Sequence, residues 1–351
     1  MRQASLVACL VMFACGTSHR APDGGVPDGA VPADASLTGD LRLPGYPAMP
    51  SQTIAAPADN MDNYAIVIAV SADGSTIAAC GTHESVGSVL IYTRTGTSYS
   101  AMPTQTLLTP ENVESFCAQV GLSADGTTLT VGGVDGTSLN SAVAVYTRSG
   151  GMYPMVPAQV IVTSDNGLPW SAAISADGNT LATSSNVADG VFVYTRTGAG
   201  AMFPTTPTQT LAKPSTGDAL FGSAITLDGD GSKLLAANAS VSGSVGRLYA
   251  YTRTSGMYGA PTEVEGPSTT STSFANAFSL RADGLELAEG GNPPVHIAIY
   301  APSGDTYLPV GSVSPPAGSP SNFAPSLALA ADGTLIVGSF ETSSILIYPP
   351  L

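Results

Sequence analysis

Carboxylates are the reactive side chains this sequence holds in quantity. It has 26 Asp and Glu against 11 Lys and Arg, a net charge of −15, with 3 His and 4 Cys. Carboxylates serve as general acids and bases or hold hard cations, and either role needs two or more of them to converge. The partners for nucleophilic or zinc chemistry are not placed for it. His19, His83 and His296 are far apart, and there is no Gly-x-Ser-x-Gly elbow, phosphate-binding glycine loop or Cys-x-x-Cys. So acidic a chain also has no basic patch for nucleic acid or a membrane surface. The expectation is a protein that is not an enzyme and carries no cofactor. The one catalytic alternative is a hydrolase or lactonase using carboxylates gathered from several repeats in a central channel.

The aspartates are ordered. Asp73, Asp125, Asp177, Asp230, Asp283 and Asp332 each precede a glycine and are spaced 52, 52, 53, 53 and 49 residues apart. Self-similarity at this period indicates stacked units that cannot bury their apolar faces alone. The second unit reads as four strands: Phe116 to Ser123, Thr127 to Gly132, Ala142 to Thr147 and Pro157 to Val162. The Asp-Gly pair predicts a tight type I′ hairpin between the first two. Third strands such as Val89-Leu90-Ile91-Tyr92 are apolar at consecutive positions, so both faces must be covered. Fourth strands carry an aromatic, then Pro, then Gln or Glu: Tyr99/Pro103/Gln105, Tyr153/Pro157/Gln159, Phe203/Pro207/Gln209 and Tyr258/Pro261/Glu263. Proline confines this strand to the blade's outer edge.

The sixth unit stops after its third strand, and the missing copy stands at the other end of the chain, as Tyr46, Pro50, Gln52 and Ile54. The fold class that follows is all-β: a six-bladed β-propeller over residues 42–351, with an N-terminal strand within 42–56 completing the last blade.

Before the ring, Met1-Arg2 and the apolar run Ala4 to Ala14 are too short to span a bilayer and read as a secretory signal over residues 1–15. The run ends at Phe13-Ala14-Cys15-Gly16, which resembles a bacterial lipoprotein processing site, implying acylation at Cys15. Cys9, after Leu6-Val7-Ala8, fits that consensus better but leaves almost no apolar core, and an ordinary cleaved signal is the third option. Residues 16–41 hold Pro22, Pro27, Pro32, Asp23, Asp28 and Asp34 and no aromatic residue, the composition of a tether. Gly rather than Asp after Cys15 implies the outer membrane of a bacterial cell envelope, with membrane contact through the lipid anchor only. In such a compartment Cys80 and Cys117, in adjacent blades, form a disulfide or remain two buried thiols.

The unit Phe221-Gly222-Ser223-Ala224-Ile225, Asp228-Gly229-Asp230-Gly231, Leu234 to Ala237 and Val245 to Tyr251 resembles the FG-GAP repeats of integrin α-subunit propellers. The aromatic recurs nine residues before the turn aspartate at Tyr64, Phe116, Phe221, Phe274 and Phe323, while the glycine after it survives only at Gly222. The resemblance implies a calcium loop. Here it offers only Asp228 and Asp230, with Thr226 and Leu234 at the outer ligand positions. It also implies that ligands meet the face opposite the Asp-Gly turns, which carries Asp59, Asp62, Glu84, Glu111, Glu114, Asp135, Asp165, Asp189 and Asp218. The expected role is protein binding or scaffolding through that acidic face, with an envelope or extracellular protein as partner; a cation-dependent glycan-binding protein is the alternative. On the other face Arg94, Arg148, Arg196 and Arg253 are expected near the turn aspartates, as ion pairs or as an anion-binding ring.

Overall fold

The computed structural model describes residues 45–57, 61–83, 86–163, 167, 169–185, 187, 190–198, 200–215, 220–239, 246–264, 266, 277–290, 297–314, 326–339 and 342–351. The signal, Cys15 and the tether lie outside them. All regular structure among the described residues is β-strand, in six small antiparallel sheets that form a six-bladed propeller. The first, second, third and fourth strands of blade two are Val113–Leu122, Thr128–Asp135, Ser141–Thr147 and Gln159–Val162, each paired to the next. Blade six takes Ser326–Leu329, Leu335–Ser339 and Ser344–Tyr348 from the end of the chain and Gln52–Ala55 from its beginning. Ile54 pairs with Ile345 and is buried, so the N-terminal strand both completes the sheet and fills the core.

The Asp-Gly turns differ from the expected hairpin type. Gly74, Gly126, Gly178, Gly231, Gly284 and Gly333 have positive φ, and none of the six aspartates does. The Gly74 amide donates to the Ser71 carbonyl at 2.8 Å, so Ser71 to Gly74 is a four-residue turn ending on a left-handed glycine. The aspartate side chain braces this turn. Asp73 Oδ1 accepts from Ser71 Oγ (2.6 Å) and the Ser75 amide (2.8 Å).

Blades pack small rows against large ones near the axis. Ala69 of blade one shares a core cluster with Val120 and Leu122 of blade two, Ala173 packs against the cluster of Ile225 and Leu227, and Ala328 shares one with Ile68 and Val70. Gly121 holds the same place in blade two, where a Cβ would stand 2.8 Å from Thr130 Oγ1 and 3.3 Å from Ile174. Small residues here let the first strands converge on the axis.

Three sets of bonds stitch blade to blade. Backbone bonds at the turns run from blade six through blade one to blade five, as in Ala331 N to Ala72 O (2.7 Å), Asp73 N to Ala124 O (2.8 Å) and Gly229 N to Ala282 O (2.6 Å). Fourth-strand glutamines clamp the next blade's aromatic backbone from both sides. Gln52, Gln105, Gln159 and Gln209 each donate to the carbonyl and accept from the amide of Tyr99, Tyr153, Phe203 and Tyr258 at 2.6 to 2.9 Å. The arginines reach back one blade: Arg148 to Thr76, Arg196 to Thr128 and Arg253 to Thr180 at 3.1 to 3.2 Å. Of the four expected near turn aspartates, Arg94 pairs with one, Asp332, at 3.3 Å. The other three lie over Tyr153, Phe203 and Tyr258, so the guanidinium groups bind the ring together instead of forming an anion site.

Candidate functional site

Each first strand is paired on one side only, so its other edge faces the axis with unpaired backbone amides and carbonyls. Six such edges enclose a central channel with a cavity of about 210 Å³. Side chains at its wall include Gln119, Ser171, Ser223, Thr226, Ser279 and Ser326 among alanines, valines, leucines and isoleucines. No Asp, Glu, His, Lys, Arg or Cys is among the described lining residues. Among the described residues, then, the channel wall has none of the carboxylates expected for a hydrolase.

Two hydroxyls at the wall are pre-oriented. Thr226 Oγ1 accepts from the Leu280 amide at 3.3 Å and Ser279 Oγ accepts from the Leu329 amide at 3.0 Å. Each covers an edge amide of the next blade. With the acceptor side engaged, each hydroxyl proton is free to donate to a molecule in the channel, and the amide that polarises it strengthens that donation. They come from blades four and five, so they are neighbours around the axis.

The residues singled out in the sequence lie elsewhere. Asp228 and Asp230 sit in the blade-four turn, committed to local bonds. Asp228 accepts from Ser232 Oγ (2.7 Å) and the Lys233 amide (3.0 Å), and Asp230 from the Ser232 amide (2.9 Å). Burial pushes the Asp228 carboxyl up, whereas bonds from Ser232 pull Asp230 down. Asp228 occupies the place of Ser71, Ser123 and Ser175, whose hydroxyls accept the equivalent amide. No group of three His, Cys, Asp or Glu that could hold a metal occurs among the described residues.

Of the acidic set, Asp62, Glu111, Glu114 and Asp135 are described and lie away from the Asp-Gly turns. Asp135 is held below the usual carboxylate range by Ser138, whose hydroxyl and amide both donate to it at 2.7 Å. Asp59, Glu84, Asp165, Asp189 and Asp218 lie outside the described residues. Cys80, in the second strand of blade one, is bonded to Cys117, at a bulge in the first strand of blade two, with Cα atoms 5.5 Å apart.

A second buried cluster stands at the turn of blade five. Glu286, fully buried, meets Arg281 at 2.8 Å and the Tyr46 hydroxyl at 2.7 Å, and Arg281 also meets Asp283 at 2.8 Å. Burial pushes both the Glu286 carboxyl and the Tyr46 phenol up. The Tyr46 hydroxyl lies 2.9 Å from the Gly333 carbonyl as well, repeating the bond that Tyr99, Tyr153, Tyr258 and Tyr307 make to Gly74, Gly126, Gly231 and Gly284. This cluster closes the ring and does not face the channel.

A central channel was expected, but the uncharged residues that line it were missed because no local motif marks them. The signal present was the small residue two places before each turn: Ala69, Gly121, Ala173, Thr226, Ser279 and Ala328.

No family model and no curated protein matches this chain. The resemblance to FG-GAP repeats thus rests on the residues that suggested it. Solved structures do share the architecture. A Bacteroides uniformis protein provisionally named 6-phosphogluconolactonase is 15% identical with a TM-score of 0.55, covering 81% of this chain and 80% of that one. The Pseudomonas aeruginosa periplasmic gluconolactonase PpgL is 17% identical with a TM-score of 0.53, over 81% and 80%. The β-propeller domain of Myceliophteria thermophila Cps50 (Swd1) is 11% identical with a TM-score of 0.53, over 86% and 100%. These likenesses establish the propeller fold. They also correct the expectation of a protein without catalytic activity: it rested on missing motifs, and proteins named as lactonases use this architecture.

Proposed function

We propose that the chain acts through its central channel on a small, neutral, hydroxyl-rich molecule, and that its reaction is hydrolysis of a sugar lactone. The observation that carries this reading is the pair of channel hydroxyls, Thr226 and Ser279, whose protons are left free to donate because edge amides occupy their acceptor sides. Water adding to a lactone carbonyl places negative charge on its oxygen, and two fixed donors stabilise that charge. The ring C–O bond then breaks, and the departing oxygen takes the proton lost by water, relayed by solvent in the channel. A cavity of about 210 Å³ lies below the roughly 300–1,000 Å³ of drug-sized sites, which suits a single ring. With no Lys or Arg among the described lining residues, a phosphate has no counter-charge, so the unphosphorylated lactone is the expected substrate.

The protein's setting is the cell envelope, with acylation at Cys15. The Cys80–Cys117 disulfide fits an oxidising compartment, and the Pseudomonas aeruginosa protein of similar fold is named as periplasmic.

The test is lactone hydrolysis above the spontaneous rate, with gluconolactone and its 6-phosphate compared. Hydrolysis of the unphosphorylated ring is expected, falling about 10- to 100-fold in kcat when Thr226→Val and Ser279→Ala are combined. No acceleration with either lactone would overturn the reading.

A further inference from the structure

The two faces of the ring differ in their exposed apolar side chains. Met49, Met102, Met152, Met155, Val156, Met202 and Met257 are each 51% to 75% exposed; Met49 precedes the N-terminal fourth strand of blade six, and the others lie in the segments between third and fourth strands. Those segments end on the same face as the Asp-Gly turns, as the bonds from Tyr99 to Gly74 and from Tyr258 to Gly231 require. Leu285, in a turn, and Leu351, whose amide donates to Gly45 at 2.9 Å, add to this face. Among the described residues it thus holds nine of the sixteen exposed large apolar side chains; Val86, Leu139 and Val187 are those at the opposite loops.

The charged groups of this face lie mostly on the axial side of the joining segments, as the six turn aspartates with Arg94, Arg148, Arg196 and Arg253. Segments 97–104, 150–157, 197–207, 255–261 and 47–51 contain no Asp, Glu, Lys or Arg, and the joining segment of blade five carries Asp305. The opposite face carries Asp62, Glu111, Glu114 and Asp135. Since third-to-fourth segments lie outside the turns, the apolar side chains form an outer rim, with arginines and turn aspartates inside it. Unbranched, adaptable thioethers are suited to the disordered boundary between headgroups and acyl chains.

The chain also enters the ring on this face, at Gly45 to Pro50, beside Met49. We propose that this methionine-rich rim docks on a lipid bilayer, laying the ring flat on the membrane with its acidic face toward water. The inference rests on the acyl anchor at Cys15, which would hold this face close to lipid.

Methionine oxidation measures this directly. The full-length acylated protein is reconstituted on vesicles of phosphatidylethanolamine and phosphatidylglycerol, treated with dilute hydrogen peroxide and compared with detergent-dispersed protein by mass spectrometry. A polarity-sensitive dye on Asp62→Cys reports the other face. Oxidation at Met49, Met102, Met152, Met155, Met202 and Met257 is expected to slow at least about five-fold on vesicles, with the dye at position 62 remaining in water. Equal oxidation rates in vesicle-bound protein would overturn the docking and leave the anchor standing. Protein that fails to float with vesicles would overturn both. Protection that grows with protein concentration in the absence of lipid would assign the rim to a second copy and overturn the membrane as its occupant.

Discussion

The arc of the ring from blade six through blade one to blade four differs from the arc that runs from blade four through five back to six. In the first, every junction carries a glutamine clamp, and three carry an Arg–Thr link. In the second, both devices are gone. Thr262, opposite Ala250 as Gln105 is opposite Ile91, stands in the clamping position and has no carboxamide, and Gly311, opposite Ile299, stands in the next one. The arginine position two residues after the third-strand tyrosine is Pro302 in blade five and Pro350 in blade six. One buried cluster, Arg281, Glu286 and Tyr46, stands where repeated small bonds would have been. A closed ring needs every junction but not the same chemistry at each. Four carry glutamine clamps, one of them with the Arg94–Asp332 pair as well. The junction of blades four and five keeps single bonds such as Thr306 Oγ1 to the Glu263 carbonyl, and the sixth is held by a concentrated ionic cluster tied to the N-terminal strand.

Removing that strand tests the comparison most severely. Deleting residues 42–56 takes away the pairing to Ser344–Tyr348, the burial of Ile54, the Tyr46 bond and the Gln52 clamp together. A loss of at least about 5 kcal/mol is expected, comparable with a domain's whole stability. Size-exclusion chromatography and thermal melting should show aggregation in place of a monomer; an unchanged monomer with unchanged Tm would break the closure account.

Arg281→Ala comes next. It strands a fully buried carboxylate and should cost about 3–5 kcal/mol near neutral pH, read by urea unfolding. The pH dependence has a definite sign. The Glu286 pKa is raised in the fold above its ordinary value of 4.5, so the folded state binds the proton more tightly. Stability therefore falls as pH rises through the window from that ordinary value to the folded one, and is flat above it. Without Arg281 the window widens upward, and the variant's deficit should shrink on acidification.

The smallest effects sharpen the contrast. Gln105→Ala removes one two-bond clamp and should cost about 1–3 kcal/mol, while Thr262→Gln installs the missing carboxamide in the other arc and should gain about 0.5–1 kcal/mol. Equal and small responses at both sites would mean that the clamps follow the ring geometry without holding it.

Much of the architecture was legible because its signals are local and repeated. The turn aspartates, the fourth-strand proline and the displaced copy at Tyr46 to Ile54 each act within a few residues, and six occurrences raise them above chance. The turn type was misread because Ser71 and its equivalents, the residues that make the Asp-Gly turn a four-residue one, were left out of the motif. The arginines' partners were hidden for another reason. Thr76, Thr128 and Thr180 precede them by 72, 68 and 73 residues, one blade back, a neighbour that no window along the chain contains.

By itself, then, the sequence determined the period, the strands, the blade number and the means of closure, because backbone conformation and apolar alternation are properties of short segments. Tertiary structure alone decided the union of Cys80 with Cys117, the buried ion pair beneath Tyr46, and a channel whose described lining residues are uncharged. The physical reason is convergence. The channel is built from the free edges of six strands belonging to six blades, so its polarity comes mostly from backbone groups that every sequence has, and only the ring brings them to one axis.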